Sequence, residues 1–192
     1  MKPRDIAVTA LMIAVMSVLQ LFVPGIGSIS LWWFLDMFYF LTLCLVNPTL
    51  GEALGIGVIY VLLSIPLTKA STPLANLPIY ISYPLNYAIY RASWKSKALY
   101  SVRAAVGALF GTFLSGTVFL ETSVAFFGLP QFIANGIIAA VVIPVAIINA
   151  IVSQIIYYPL VNAYKRIAPE KAGLFRWPPT EQVPAVAGEP GH

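Results

Sequence analysis

The chain has 192 residues, of which 59% are hydrophobic and only 9% are charged. A soluble globular domain usually carries about a quarter charged residues, so this composition excludes a large water-soluble domain. Apolar stretches long enough to cross a hydrocarbon core of about 30 Å recur along most of the length. The sequence therefore predicts a single α-helical domain that crosses a lipid bilayer several times.

The formal net charge of +4 comes from basic residues that fall in clusters. All of them except Lys69 belong to one of three groups: Lys2 and Arg4; Arg91, Lys95, Lys97 and Arg103; and Lys165, Arg166, Lys171 and Arg176. Because positive residues stay on the cytoplasmic side, an even number of crossings must separate successive groups. We interpret the charge as a topology signal and expect no nucleic-acid partner.

Six apolar segments satisfy this rule and leave both termini in the cytoplasm. They are predicted at residues 6–23, 32–46, 50–65, 77–90, 104–119 and 137–164. The first segment lacks a small-residue cleavage site, so we interpret it as a retained helix and not as a signal peptide. The expected fold class is an all-α bundle of six transmembrane helices.

The end of the chain differs in composition from the rest. Residues 1–167 form the predicted transmembrane domain, whereas residues 168–192 are rich in proline and poor in apolar side chains. Such a composition cannot bury enough apolar surface to offset the entropy of ordering. We therefore expect a disordered cytoplasmic tail over 168–192.

Few residues suited to catalysis are available. The single cysteine, Cys44, lies inside an apolar run, and the only histidine is His192. A metal centre built on histidine and cysteine would have almost no ligands, and a Ser-His-Asp nucleophile would have no usable histidine. The sequence predicts neither an enzyme nor a cofactor or metal site.

Acidic residues within reach of the membrane are costly there and are therefore functional candidates. Asp36 and Glu121 belong to the predicted outer side, where both could line an outward-facing cavity. Trp32 and Trp33 precede Asp36 at helical spacing and either form an interfacial aromatic belt or face a flat or cationic ligand. Glu52 lies next to an inner turn and is interpreted as a headgroup-level or helix-capping carboxylate.

Amide and tyrosine side chains supply further candidates. Asn149 and Gln154 lie inside the last helix and must be hydrogen-bonded, either to another helix or to a ligand. Asn76, Tyr80 and Tyr83 lie at the outer start of helix four. They either contribute to the cavity or anchor the helix at the interface.

Small residues recur at helical spacing on three predicted helices. Such stripes let helix backbones approach closely in lipid, either within the bundle or against another membrane protein. The stripes are Ala7, Ala10 and Ala14 on helix one, Gly51 and Gly55 on helix three, and Gly107, Gly111 and Ser115 on helix five.

Three stretches together resemble the substrate-binding S component of energy-coupling factor (ECF) transporters. Ala-Leu-Met-Ile-Ala at 10–14 is similar to the family's alanine motif on helix one. Residues 47–55 resemble its Gly-Pro-x-x-Gly-x-x-x-Gly turn, with Asn47 in place of the usual glycine. Residues 143–151 resemble its last helix, where a proline and an asparagine recur, here Pro144 and Asn149.

This resemblance implies a binding subunit in the cytoplasmic membrane of a prokaryote. It implies docking through Ala7, Ala10 and Ala14 onto a transmembrane coupling subunit, with two separate ATPase subunits. It also implies an outward-facing site for a vitamin-like small molecule. With few cations available on the outer side, we expect a neutral or cationic heteroaromatic ligand of the thiamine or pyrimidine kind. The alternative is an MreD-like membrane scaffold, which would bind protein partners and no vitamin.

Overall fold

The computed structural model describes residues 1–22, 35–67 and 73–179, and these ranges contain helices and turns without any strand. The α-helices are α1 (Pro3–Phe22), α2 (Leu35–Val46), α3 (Leu50–Leu67), α4 (Tyr83–Ala92), α5 (Lys97–Ser101), α6 (Arg103–Phe127), α7 (Gln131–Ile137) and α8 (Ile143–Ile167). Pro73–Ser82, Ser93–Lys95 and Pro169–Phe175 are 3₁₀ pieces, and Ile138–Val142 is a π-helical turn. The predicted all-α class is confirmed over the described ranges.

Helices α2 and α6 form the core of the bundle. Every residue of α2 is buried, as expected for a helix that is apolar on all sides. Phe40 of α2 packs onto the backbone of α6 at Gly107 and Gly111. A Cβ added at Gly107 would lie 2.0 Å from the Phe40 ring, and one at Gly111 would lie 2.5 Å from it. The glycine stripe of α6 thus packs within the bundle.

The turn between α2 and α3 follows the sequence pattern closely. Asn47 has a φ of +52°, a left-handed conformation that asparagine tolerates better than most residues. Thr49 and Glu52 form a reciprocal cap at the start of α3: the Thr49 amide donates to Glu52 at 2.8 Å, and the Glu52 amide donates to the Thr49 hydroxyl at 3.4 Å. The helix-capping interpretation of Glu52 is therefore confirmed.

All three basic groups lie at the same end of the bundle, which we call the basic end. It holds the start of α1, the α2–α3 turn, residues 91–103 and the end of α8. Lys171 donates to Asp5 and to the Val46 carbonyl, both at 2.8 Å, and Tyr90 donates to Asn47 at 2.7 Å. This is the arrangement that the charge rule requires, while the cytoplasmic location of this end stays a prediction.

Four helical stretches of the described chain are long and apolar enough to cross a membrane: Pro3–Leu21, Leu50–Leu67, Arg103–Phe127 and Gln131–Ile167. Helix α2 is apolar but has only 12 residues. The fourth predicted segment is split into a 3₁₀ piece and α4, since Pro78 and Pro84 cannot donate backbone hydrogen bonds. Six crossings therefore remain a prediction.

Two boundaries differ from the sequence prediction. Helix α6 continues past residue 119 to Phe127, where Gly128 ends it with a φ of +73°. Residues 168–175 of the predicted tail pack against the basic end, where Lys171 and Leu174 are both buried. The expectation of disorder for residues 180–192 falls outside the described part of the chain.

Candidate functional site

A cluster of buried polar side chains lies halfway along the bundle. Ser115 is at the middle of α6 (Arg103–Phe127), about 18 Å from either end at about 1.5 Å per residue. The members come from four segments that pack around this point. We call them the mid-bundle cluster: Asp36 of α2, Ser82 just before α4, Asn86 of α4, Thr112 and Ser115 of α6, and Asn149 of α8.

Helical spacing explains why these residues converge. Ser82 and Asn86 are four residues apart, and Thr112 and Ser115 are three apart, so each pair shares one face of its helix. Gly111 immediately precedes Thr112 and lets α2 approach, since a Cβ there would come within 3.4 Å of the Asp36 Cβ. Polar groups are thereby brought together in an otherwise apolar interior.

Hydrogen bonds link the members of the cluster in two groups. The Ser115 hydroxyl donates to Asp36 Oδ1 at 2.8 Å, and the Ser82 and Ser115 hydroxyl oxygens are 3.2 Å apart. Asn86 Nδ2 donates to Ser82 at 3.4 Å. A separate bond joins the remaining two members: Asn149 Nδ2 donates to the Thr112 hydroxyl at 2.9 Å.

The same network leaves several oxygen atoms unsatisfied. Among the described residues, nothing hydrogen-bonds to Asp36 Oδ2, Asn86 Oδ1 or Asn149 Oδ1, and the neighbouring Tyr83 hydroxyl also has no partner. Each buried polar atom without a partner costs about 1–3 kcal/mol, and more when it is charged. The two amide oxygens can only accept, and Asp36 Oδ2 likewise only accepts when the carboxyl group is ionised. The cluster is therefore suited to a ligand that brings several N–H donors and a positive charge.

Aromatic rings lie beside the cluster. Tyr39 is one helical turn after Asp36, and its ring centroid is 4.5 Å from that of Tyr83 and 6.0 Å from that of Tyr60. Tyr80 lies 6.0 Å from Tyr83. Faces of this kind suit a flat ring, which they can contact by offset or edge-to-face packing.

The residues proposed from the sequence fall in different places. Asp36 and Asn149 are completely buried in the cluster, with 1% and 0% of their surfaces exposed, and Tyr80 lies at its edge. Glu121 is exposed, accepts a hydrogen bond from Gln131 at 3.2 Å and lies six residues beyond Ser115 on α6, so it does not join Asp36. Trp32, Trp33 and the side chain of Asn76 fall outside the described residues.

Part of this cluster is not predicted from the sequence. Ser115 belongs to a stripe that favours helix packing, and Ser82, Asn86 and Thr112 are not among the predicted site residues. The available signal was the spacing of these residues at three and four positions within predicted apolar helices. Single serine and threonine residues are common in membrane helices, where they can bond to their own backbone. Only the packing of four segments shows which ones meet.

Two of the three small-residue stripes face away from the bundle. Ala7, Ala10 and Ala14 are exposed on α1. Gly51 and Gly55 of the adjacent α3 have open space where a Cβ would lie. They differ in this from the α6 glycines, whose Cβ positions are occupied by Phe40. The exposed small residues offer a surface that another helix could approach closely.

Comparison with known proteins agrees with a transport protein. Residues 2–166 match the family model described as Tryptophan transporter TrpP. A protein of Bacillus subtilis (strain 168), described as a probable tryptophan transport protein, is 33% identical over 174 residues, covering 86% of this chain and 95% of the relative. No solved structure matches the chain.

These matches change one expectation. Both descriptions name an amino acid, so the predicted vitamin ligand receives no support. They also do not favour the alternative of a scaffold that binds no small molecule. Because the family model spans nearly all of residues 1–167, the chain belongs to the TrpP family of tryptophan transporters.

Proposed function

We propose that this protein binds tryptophan in the mid-bundle cluster and serves as the substrate-binding subunit of a membrane importer. The observation that carries the proposal is a set of buried oxygens of Asp36, Asn86 and Asn149 that lack a donor among the described residues and lie next to a group of tyrosine rings. A tryptophan zwitterion has the complementary groups: an ammonium with three N–H donors and an indole with one.

The ammonium is assigned to Asp36. A buried carboxylate is strongly unfavourable unless a cation pairs with it. Asp36 Oδ1 is already bonded to Ser115, which leaves Oδ2 to accept from the ligand. Asn86, linked to the same group through Ser82, provides a second acceptor for the ammonium.

The indole is assigned to the tyrosine rings and to Asn149. Tyr39 and Tyr83 supply aromatic faces within one helical turn of the cluster. Asn149 Oδ1 is held in place through the bond from its Nδ2 to Thr112 and can accept the indole N–H. The Tyr83 hydroxyl can donate to the ligand's carboxylate.

The same proposal includes transport partners. The protein has the resemblance to ECF S components described above, and its helix α1 exposes Ala7, Ala10 and Ala14. We assign this face to docking onto a transmembrane coupling subunit, which is driven by two ATPase subunits. The chain then has no catalytic step of its own, and its basic end faces the cytoplasm.

Equilibrium dialysis of the purified full-length protein in lipid nanodiscs tests the binding proposal. Radiolabelled L-tryptophan should bind, and thiamine should not compete. Asn149→Ala should weaken tryptophan binding about fivefold or more, since a hydrogen bond is lost. Ser123→Ala is the matched control, because the buried Ser123 hydroxyl of α6 donates within its own helix, to the Phe119 carbonyl at 2.9 Å. Competition by thiamine, or equal tryptophan affinity in both variants, would contradict the assignment.

A second experiment tests docking separately. Ala10→Trp with Ala14→Trp should leave tryptophan affinity near normal and prevent co-purification with the coupling subunit, since large side chains keep helices apart. Val18→Trp on the same helix, where the side chain is 52% exposed, is the control and should assemble normally. Normal assembly of the alanine variant would remove α1 as the docking face.

A further inference from the structure

A second buried polar cluster lies at the basic end and has no role in the proposed function. Its centre is Arg103, the first residue of α6, of which only 2% is exposed. Four aromatic rings surround the guanidinium, with centroids 4.2–5.9 Å from Cζ. We call this group the Arg103 cluster: Arg103 with Trp94, Tyr100, Tyr157 and Phe175.

The guanidinium of Arg103 has neutral hydrogen-bond partners in the described chain. It donates to the Tyr157 hydroxyl through Nε at 2.9 Å and through Nη2. Longer bonds reach the carbonyl oxygens of Cys44 at 3.4 Å and Leu174 at 3.5 Å. Buried charges are normally paired with an opposite charge. Aromatic faces offset part of this requirement but supply no anion.

Two N–H donors in the cluster also lack acceptors. Within the described residues, neither Arg103 Nη1 nor the buried Trp94 Nε1 has a hydrogen-bond partner. The Arg91 guanidinium lies 4.8 Å from the Trp94 ring centroid and adds positive charge. The site is therefore cationic and rich in donors, whereas the mid-bundle cluster is rich in acceptors.

We propose that the Arg103 cluster is a second binding site, which takes the carboxylate of an indole-bearing acid. The guanidinium fork matches a carboxylate geometrically. Trp94 Nε1 can donate to the same group, while the surrounding rings pack against the indole. The site lies about 18 Å from Ser115 along α6, so the two sites are separate. The choice of an indole ligand rests on the proposed function.

The C-terminal piece Pro169–Phe175 covers this site and can exchange with the ligand. Its Leu174 carbonyl accepts hydrogen bonds from the Tyr100 hydroxyl and from Arg103 Nη2. Burial raises the pKa of the Tyr100 hydroxyl, so this group remains a donor at neutral pH. An entering carboxylate takes the place of the Leu174 carbonyl. The covering piece lies beyond residues 2–166, which match the family model.

Two probes, each with only one of the two charged groups of tryptophan, test whether the two sites bind independently. Tryptamine has the ammonium and no carboxylate, whereas indole-3-propionate has the carboxylate and no ammonium. Equilibrium dialysis with the full-length protein in nanodiscs should show that both probes bind at once without competing. Mutual competition, or no binding of indole-3-propionate, would overturn the second site. Displacement of indole-3-propionate by a lower concentration of inorganic phosphate would overturn the carboxylate assignment in favour of a phosphate group.

Matched variants test whether the N–H groups of Trp94 and Arg103 bind indole-3-propionate. Trp94→Phe keeps a ring and removes one N–H, so it should weaken indole-3-propionate about fivefold or more and leave tryptamine unchanged. Arg103→Gln should abolish indole-3-propionate binding. Trp177→Phe removes an indole N–H from a ring that packs on Tyr100 and should have no effect. Equal indole-3-propionate affinity in Trp94→Phe and Trp177→Phe would overturn the proposal. If the wild type does not bind tryptamine at all, that result would instead count against the mid-bundle site.

Discussion

The mid-bundle cluster and the Arg103 cluster lie along the same helix, α6. The first has oxygen atoms without donors, and the second has N–H groups without acceptors, among the described residues. Among the residues that the structure describes, one oxygen each of Asp36, Asn86 and Asn149 near Ser115 lacks a donor. In the same described ranges, the Nη1 of Arg103 and the indole nitrogen of Trp94 lack an acceptor. The two regions match the two charged groups of an amino acid.

The largest loss of stability is expected from a substitution in the C-terminal piece Pro169–Phe175, which packs against the basic end. Lys171→Met leaves the Asp5 carboxylate buried without its cation, since the side chains of Lys171 and Asp5 are only 11% and 7% exposed. Breaking a buried ion pair typically costs about 3–5 kcal/mol. We expect a large drop in the free energy of unfolding, measured by denaturant titration in micelles, and partial recovery in Asp5→Asn with Lys171→Met.

The neighbouring pair of Arg4 and Glu170 provides the control for this experiment. Their side chains are 44% and 31% exposed, so solvent screens the interaction. Arg4→Met should cost no more than about 1 kcal/mol. A loss as large as that in Lys171→Met would mean that general charge at the basic end, and not the buried pair, holds the C-terminal piece.

The position of α2 against α6 sets the geometry of both clusters, and Gly107 lies at that contact. Gly107→Ala places a Cβ 2.0 Å from the Phe40 ring and should destabilise the bundle by about 1–3 kcal/mol through overpacking. Gly51→Ala is the control, because nothing lies within 4 Å of its Cβ position. Thermal unfolding should separate the two variants, and equal stability would contradict this packing.

The smallest effect on stability is expected at Asn86, which we assign to tryptophan binding. Asn86 makes one long hydrogen bond of 3.4 Å and leaves its Oδ1 unsatisfied. Asn86→Leu should therefore change the stability of the ligand-free protein by less than about 1 kcal/mol while weakening tryptophan binding. If the variant unfolds readily and still binds tryptophan with full affinity, Asn86 is a structural residue.

Much of the fold could be predicted because its signals are local. Apolar length predicts the helices, and Asn47-Pro48 followed by Thr49 and Glu52 predicts the turn and cap at α3. The charge rule places the basic groups at one end. Asp36 and Asn149 could be singled out because polar groups within apolar helices require a partner.

The remainder depends on contacts between segments distant in the chain. Arg103 was assigned to a solvent-facing loop, since a basic residue near a helix end usually indicates topology. Its burial depends on Tyr157 and on residues 169–175, which lie more than 50 positions away. Lys171 lies in the proline-rich segment whose composition predicts a disordered tail. No local pattern predicts that Asp5 would bury it.

The central claim is that Asp36 pairs with the ammonium of tryptophan, and one affinity comparison tests it most directly. L-tryptophan binding is measured by equilibrium dialysis for the wild type, Asp36→Asn and Glu121→Gln in nanodiscs. Losing a buried charged contact of about 1.5–3 kcal/mol should weaken binding at least about tenfold in Asp36→Asn. Exposed Glu121 lies outside the cluster, so Glu121→Gln should bind like the wild type. Unchanged affinity in Asp36→Asn, with a loss in Glu121→Gln, would contradict the account.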